Sequence, residues 1–192
     1  MNPASNLILV GPMGAGKTTI GKRLAKHFAL RFVDSDQFIE QQTGARVATI
    51  FDLEGEAGFR QREQQAIAEL CNGHGQLIAT GGGAVLNEEN RRLMHLHGFV
   101  IWLRTSVERQ LERLAQDRTR PLLQASNRRH RLEVMAAQRD PLYAVCCDLV
   151  FESEQRKVAA AAERLARILA QRWHRETEPA PIPDPTQPPC TT

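Results

Sequence analysis

Eight residues constrain this chain more than any others: Gly11-Pro12-Met13-Gly14-Ala15-Gly16-Lys17-Thr18. They fit G-x-x-x-x-G-K-[ST], a spacing that lets oxyanions sit directly against main chain. Glycines supply positive φ values and close approach, so successive N–H groups converge on one concavity. The pattern carries meaning only between a strand and a helix, and both are legible here. Leu7-Ile8-Leu9-Val10 is a short apolar run of the kind a parallel strand buried on both faces requires. From 17 to 29, Ile20, Leu24 and Phe28 recur every four residues, which makes one face of a helix. That helix adds its positive N-terminal end to the loop. Gly14, Ala15, Gly16, Lys17, Thr18 and Thr19 are therefore the candidate nucleotide contacts. Lys17 supplies charge to the β and γ phosphates, and the Thr18 hydroxyl is a direct Mg²⁺ ligand.

The rest of the chain alternates short strands with helices. Phe32 and Val33 form a strand running into Asp34-Ser35-Asp36, and 37–44 is helical up to Gly44. A short helix with Val47, Ile50 and Phe51 ends before Gly55, and a long polar helix spans about 56–72. Gln76 to Ala79 is a strand opening into Thr80-Gly81-Gly82-Gly83, followed by a helix over 88–97 with Leu93, Met94 and Leu96 inward. Phe99 to Leu103 is the most hydrophobic strand, and Val107, Leu111 and Leu114 mark the next helix. Asp148 to Phe151 is a last strand, and 155–173 a last helix with Val158, Leu165, Ile168 and Leu169. This order predicts an α/β fold of the P-loop NTPase type. It is a three-layer sandwich, with a mostly parallel five-stranded sheet and helices on both faces.

A chain of 192 residues at 42% hydrophobic suits one domain with a core large enough to need no staple. Its formal charge of +3 is too small to argue for nucleic acid, and no apolar run is long enough to span a membrane. The four cysteines, Cys71, Cys146, Cys147 and Cys190, form no CxxC pair, and the first residues carry no basic leader. A reduced, cytoplasmic setting and a monomer are the expectation. From 175 to 192 the proline-rich sequence predicts a disordered tail, leaving 1–174 as the folded domain.

Several features remain open on local grounds. Asp34 and Asp36 stand at the end of a strand, where open parallel sheets bind ligands. They divide either into a holder of metal-bound water and a hydroxyl acceptor, or into a helix N-cap followed by a first-turn acid, with Asp36 also able to cap the helix after it. Arg60 is either a solvated charge or an anion ligand. Between Arg118 and Arg139 lie six arginines and His130 against one acid, Glu133. This stretch reads as a nucleic-acid patch, a solvated face, or a lid that excludes water from phosphoryl transfer. The phosphate loop upstream favours the lid, and the lack of interleaved aromatics speaks against nucleic acid.

Taken together, the pieces resemble the shikimate kinase family. They are Gly11 to Gly21, Asp34-Ser35-Asp36, Phe59-Arg60, Gly81-Gly82-Gly83, Arg120-Pro121-Leu122-Leu123, and Arg139 before Pro141-Leu142-Tyr143. The match runs from about Leu7 to Trp173. The resemblance implies ATP-dependent phosphorylation of the 3-hydroxyl of shikimate, on the way to aromatic amino acids. ATP is then co-substrate, with one Mg²⁺ per active site. It implies substrate-binding helices at about 36–62 and a lid at about 115–138. Asp36 would bind the acceptor hydroxyls and help deprotonate the attacking one, and Arg60 and Arg139 would hold the carboxylate. Gly82 would give a backbone contact, and Arg120 would reach the transferring phosphate. Asp34 would hold Mg²⁺ through water, and Arg113 and Arg156 would lie at the ATP end. Thr18 stands where many members carry serine, which preserves the hydroxyl. A kinase of another small hydroxy acid, such as gluconate, is the alternative, since it shares the first motif and the fold.

Overall fold

The computed structural model describes residues 4–115, 127–152 and 158–174. Five strands form one sheet: β1 (Asn6–Val10), β2 (Arg31–Asp34), β3 (Gln76–Ala79), β4 (Gly98–Arg104) and β5 (Leu149–Glu152). All neighbours pair in parallel, in the order β2-β3-β1-β4-β5. Ile8 of β1 lies opposite Ile78 on one side and Val100 on the other. Every residue of β1 and β3 is buried, which is why each reads as a continuous apolar run after its first, polar residue, Asn6 or Gln76.

The described residues form seven α-helices: α1 (Lys17–His27), α2 (Ser35–Thr43), α3 (Val47–Cys71), α4 (Glu88–His97), α5 (Val107–Leu114), α6 (Arg128–Cys146) and α7 (Val158–Arg172). The strand pleat sorts the core into two layers. Leu7, Leu9, Leu77, Ile101 and Leu103 face Ile20 and Leu24 of α1 and Leu165 and Leu169 of α7. Ile8, Val10, Ile78, Val100 and Trp102 face Ile67 and Leu70 of α3, Met94 of α4 and Tyr143 of α6. The three-layer expectation therefore holds, with all strands parallel. At the far end from the phosphate loop, Trp173 Nε1 donates to the Ala4 carbonyl at 2.8 Å, tying α7 to the start of β1.

Helix α3 is two helices in one. Gly55, at φ 69° and ψ −176°, breaks the backbone between them, so the short helix and the long one expected from sequence meet at a kink. One inward assignment fails. Leu96 is 63% exposed, because Met94 takes the inner side of α4 and a residue two positions on lies about 200° round the helix. Val158 is 37% exposed, since it precedes the stripe of Ala161, Leu165 and Leu169 that meets the sheet.

Helix α6 has no counterpart in the sequence reading. Its arginine-rich start and internal Pro141 obscure the period, yet Leu132, Arg139, Tyr143 and Cys146 are buried along it. The described part of the expected lid, 127–138, is mostly the first half of this helix. The rest of that lid after Ala115, with Arg120, lies outside the described residues, as do Arg156 and the 175–192 tail.

Candidate active site

The loop after β1 takes the shape its glycines permit. Gly11, Gly14 and Gly16 have φ values of 138°, 77° and 93°, a region closed to most side chains. A Cβ on Gly11 would also stand 2.5 Å from the Leu103 carbonyl oxygen, so β4 and the loop touch there without side chains between them. Lys17 arches back over the loop, its Nζ donating to the carbonyls of Gly11 at 2.6 Å and Pro12 at 2.9 Å.

Asp34 links this loop to the next strand. One of its oxygens accepts from Thr18 Oγ1 at 2.9 Å, and the other accepts the Asp36 N–H at 3.1 Å and so caps α2. Asp34 is therefore the N-cap and Asp36 the first-turn acid that follows it, so Asp36 does not itself cap the helix. The helix starts one residue before Asp36, whose side chain is left to face the cleft. A Cβ on Gly81 would come within 2.9 Å of Asp36 Oδ1 and 2.6 Å of Glu63 Oε1. Only glycine lets these two carboxylates close on the loop after β3. The Gly81 N–H is satisfied by Ser35 Oγ at 2.9 Å.

Two arginines hold the rest of that glycine loop. Arg60, on α3, donates to Glu63 at 2.6 Å and to Glu56 at 2.9 Å. Its guanidinium carbon would be 2.6 Å from a Cβ on Gly83. Arg139, on α6 and only 6% exposed, donates to the Gly82 carbonyl at 3.3 Å. Tyr143, one turn further along α6, donates to the same oxygen at 2.6 Å. Burial lowers the proton affinity of Arg139, and the like charge of Arg60 adds to that. Arg60 is pulled down by burial too, but Glu63 and Glu56 outweigh it and hold it above the ordinary value. Burial pushes the Glu63 carboxyl up, against the pull of Arg60. Arg139 thus has no carboxylate of its own among these hydrogen bonds, although it is buried beside a second guanidinium. A bidentate anion would relieve that arrangement.

A cleft of about 740 Å³ runs along these parts. Gly14, Ala15, Gly16, Lys17, Thr18, Thr19, Asp34, Asp36, Gly82 and Arg113 all line it. Val158 and Ala161 of α7 and Arg109 of α5 also line it, and Arg113 donates to the Gly14 carbonyl at 2.9 Å. Arg60 and Arg139 do not line this cleft; they reach it through the glycine loop. Glu63, Tyr143, Ser35 and Arg109 are absent from the sequence-based site. Helical spacing was the available signal, since Glu63 lies three residues from Arg60 and Tyr143 four from Arg139. Nothing in the sequence says that both pairs converge on one loop.

Phosphate loop after β1, acid pair after β2 and anion-receptive loop after β3 define the class: a P-loop kinase. The family model for shikimate kinases matches residues 13–170. A shikimate kinase of Stenotrophomonas maltophilia (strain R551-3) is 53% identical over 176 residues, which cover 92% of this chain and 98% of the relative. A structure of shikimate kinase from Acinetobacter baumannii in complex with shikimate superposes with a TM-score of 0.85 at 40% identity, covering 89% and 96% of the two chains. The chain belongs to the shikimate kinase family. A gluconokinase from Sinorhizobium meliloti 1021 is alike in fold alone, at 16% identity and a TM-score of 0.50 over 89% of this chain and 98% of its own.

Proposed function

We propose that this chain transfers the γ-phosphoryl group of ATP to the 3-hydroxyl of shikimate, giving shikimate 3-phosphate and ADP in the synthesis of aromatic amino acids. The observation that carries the reading is the Gly82 carbonyl, which lines the same cleft as Lys17 and is held from behind by buried Arg139, with the charge of Arg60 nearby. A planar guanidinium pair suits a ring carboxylate, while the loop glycines admit the ring against main chain.

In this reading the phosphates replace the Gly11 and Pro12 carbonyls as partners of Lys17. Asp36 orients the attacking hydroxyl and takes its proton, and Glu63 keeps Arg60 in place. Arg120 is assigned to the transferring phosphate on its motif alone, and Arg156 to the ATP end likewise. Phosphoryl transfer through a loose transition state asks for positioning and charge neutralisation rather than covalent chemistry. Thr18 Oγ1 and Asp34 Oδ2, 2.9 Å apart, bring two hard oxygens together beside the phosphate loop. This fits one Mg²⁺ held mostly by phosphate and water, with Thr18 direct and Asp34 through water. When bound, that ion supplies charge neutralisation at the β and γ phosphates.

The same reading places the enzyme in the cytoplasm as a monomer, with 1–174 as the catalytic unit and 175–192 outside it. Its exposed large hydrophobics are scattered over α3, α4, α6, β5 and α7, which supports the monomer. No helix among the described residues is long and apolar enough to cross a membrane.

Arg60→Ala tests the acceptor assignment. The expected result is a KM for shikimate raised at least about tenfold, with the KM for ATP changed less than about twofold, as for loss of a charge-assisted hydrogen bond to one substrate. An unchanged KM for shikimate would remove Arg60 from the site.

A further inference from the structure

Three glycines in a row have no side chains to hold them, so the loop after β3 depends on its neighbours for its shape. Its central carbonyl, on Gly82, is clamped by two donors from α6: Arg139 at 3.3 Å and Tyr143 Oη at 2.6 Å. We propose that Tyr143 is a positioning residue for the phosphoryl acceptor: its hydroxyl fixes the Gly82 carbonyl, and through it the Gly82–Gly83 peptide of the loop that borders the cleft. This rests on the reading of the Arg60–Arg139 end as the acceptor site.

A peptide group is planar and trans, so the Gly82 carbonyl and the Gly83 N–H point in opposite directions. Drawing the oxygen toward α6 turns that N–H away from α6. The two donors differ in what substrate does to them. If the Arg139 fork turns to a carboxylate, its long bond to Gly82 is released, and Tyr143 remains as the shorter donor on the same oxygen. Tyr143 therefore leaves Arg139 available without orphaning a buried carbonyl.

The tyrosine ring is itself anchored to the sheet. It is 1% exposed and stacks on Trp102 of β4, with centroids 5.5 Å apart and planes at 29°. A phenylalanine would fill the same space, so packing alone does not call for the hydroxyl. Burial raises the phenol well above its ordinary titration range, and Tyr143 stays a donor throughout the range in which a cytoplasmic enzyme works.

Tyr143→Phe removes the hydroxyl and keeps the ring. The expected outcome is a KM for shikimate raised about tenfold, with the KM for ATP within about twofold of the parent. In the free protein, the amide resonances of Gly82 and Gly83 should shift while those of Gly14 and Gly16 stay. Unmoved Gly82 and Gly83 amides, or KM values for both substrates raised equally, would overturn the proposal. The amide readout needs no turnover. A parent enzyme inactive on shikimate would sink the acceptor reading, whereas unmoved amides would sink the clamp.

Tyr143 is the chain's single tyrosine. Should the phenylalanine variant fail to fold, uniform 3-fluorotyrosine labelling gives one ¹⁹F signal with the hydroxyl retained. That signal should move on saturation with shikimate and hold still with ADP. A signal indifferent to shikimate overturns the clamp.

Discussion

Glu63 is 1% exposed, with Arg60 on one oxygen and the Gly81–Asp36 contact beside the other. Its carboxyl is raised above 4.5 because burial outweighs the pull of Arg60. The folded state therefore binds this proton more tightly than the unfolded chain does. The contribution is fully present below the unfolded value and is lost as pH rises through the raised titration. Relative to Glu63→Gln, the parent should lose stability as pH is raised from about 4 to about 7, measured by urea unfolding at each pH. The opposite slope would mean that Arg60 dominates burial. At this scale the motif-bearing residues were the legible ones. Lys17, Thr18, Asp34 and Asp36 stood out because phosphate chemistry restricts what stands beside a strand end. Glu63 and Tyr143 did not, because an acid and a tyrosine on helices look ordinary until the partner loop is known.

The elements differ in how openly the sequence declares them. β1, β3 and β4 were plain, since a strand covered on both faces must be apolar throughout. α6 was hidden, because its buried positions are few and two of them, Arg139 and Tyr143, serve the glycine loop. The break in α3 was announced by Gly55, and its conformation explains why. At φ 69° and ψ −176° the residue lies in a region nearly reserved for glycine, while no atom stands within 4 Å of where a Cβ would be. Gly55→Ala should therefore cost about 1–3 kcal/mol through backbone strain alone. Arg60 is on the helix that leaves this kink, so the KM for shikimate should rise in the same variant. Urea unfolding beside steady-state kinetics would check both, and a variant as stable as the parent would contradict the strain argument.

The whole molecule explains why such dispersed residues meet. β1 lies between β3 and β4, so the chain reverses its winding at the centre of the sheet, and a crevice opens beyond the strand ends there. β2, β3 and β1 are adjacent, and their C-terminal ends deliver Asp34, the Gly81–Gly83 loop and the phosphate loop side by side. α3 and α6 then approach from the same face of the sheet, carrying Arg60 and Arg139 to the glycine loop. The alternation of strands and helices made the class of fold legible. The strand order was not legible, because no local pattern encodes which strands become neighbours.

Phosphorus NMR of the product formed from Mg-ATP and shikimate decides whether this cleft phosphorylates the 3-hydroxyl. One new phosphate monoester signal, coupled to the proton on C3, should appear in step with ADP and be absent when gluconate replaces shikimate. Inorganic phosphate in place of an ester, or an ester on another hydroxyl, would contradict the assignment of this cleft.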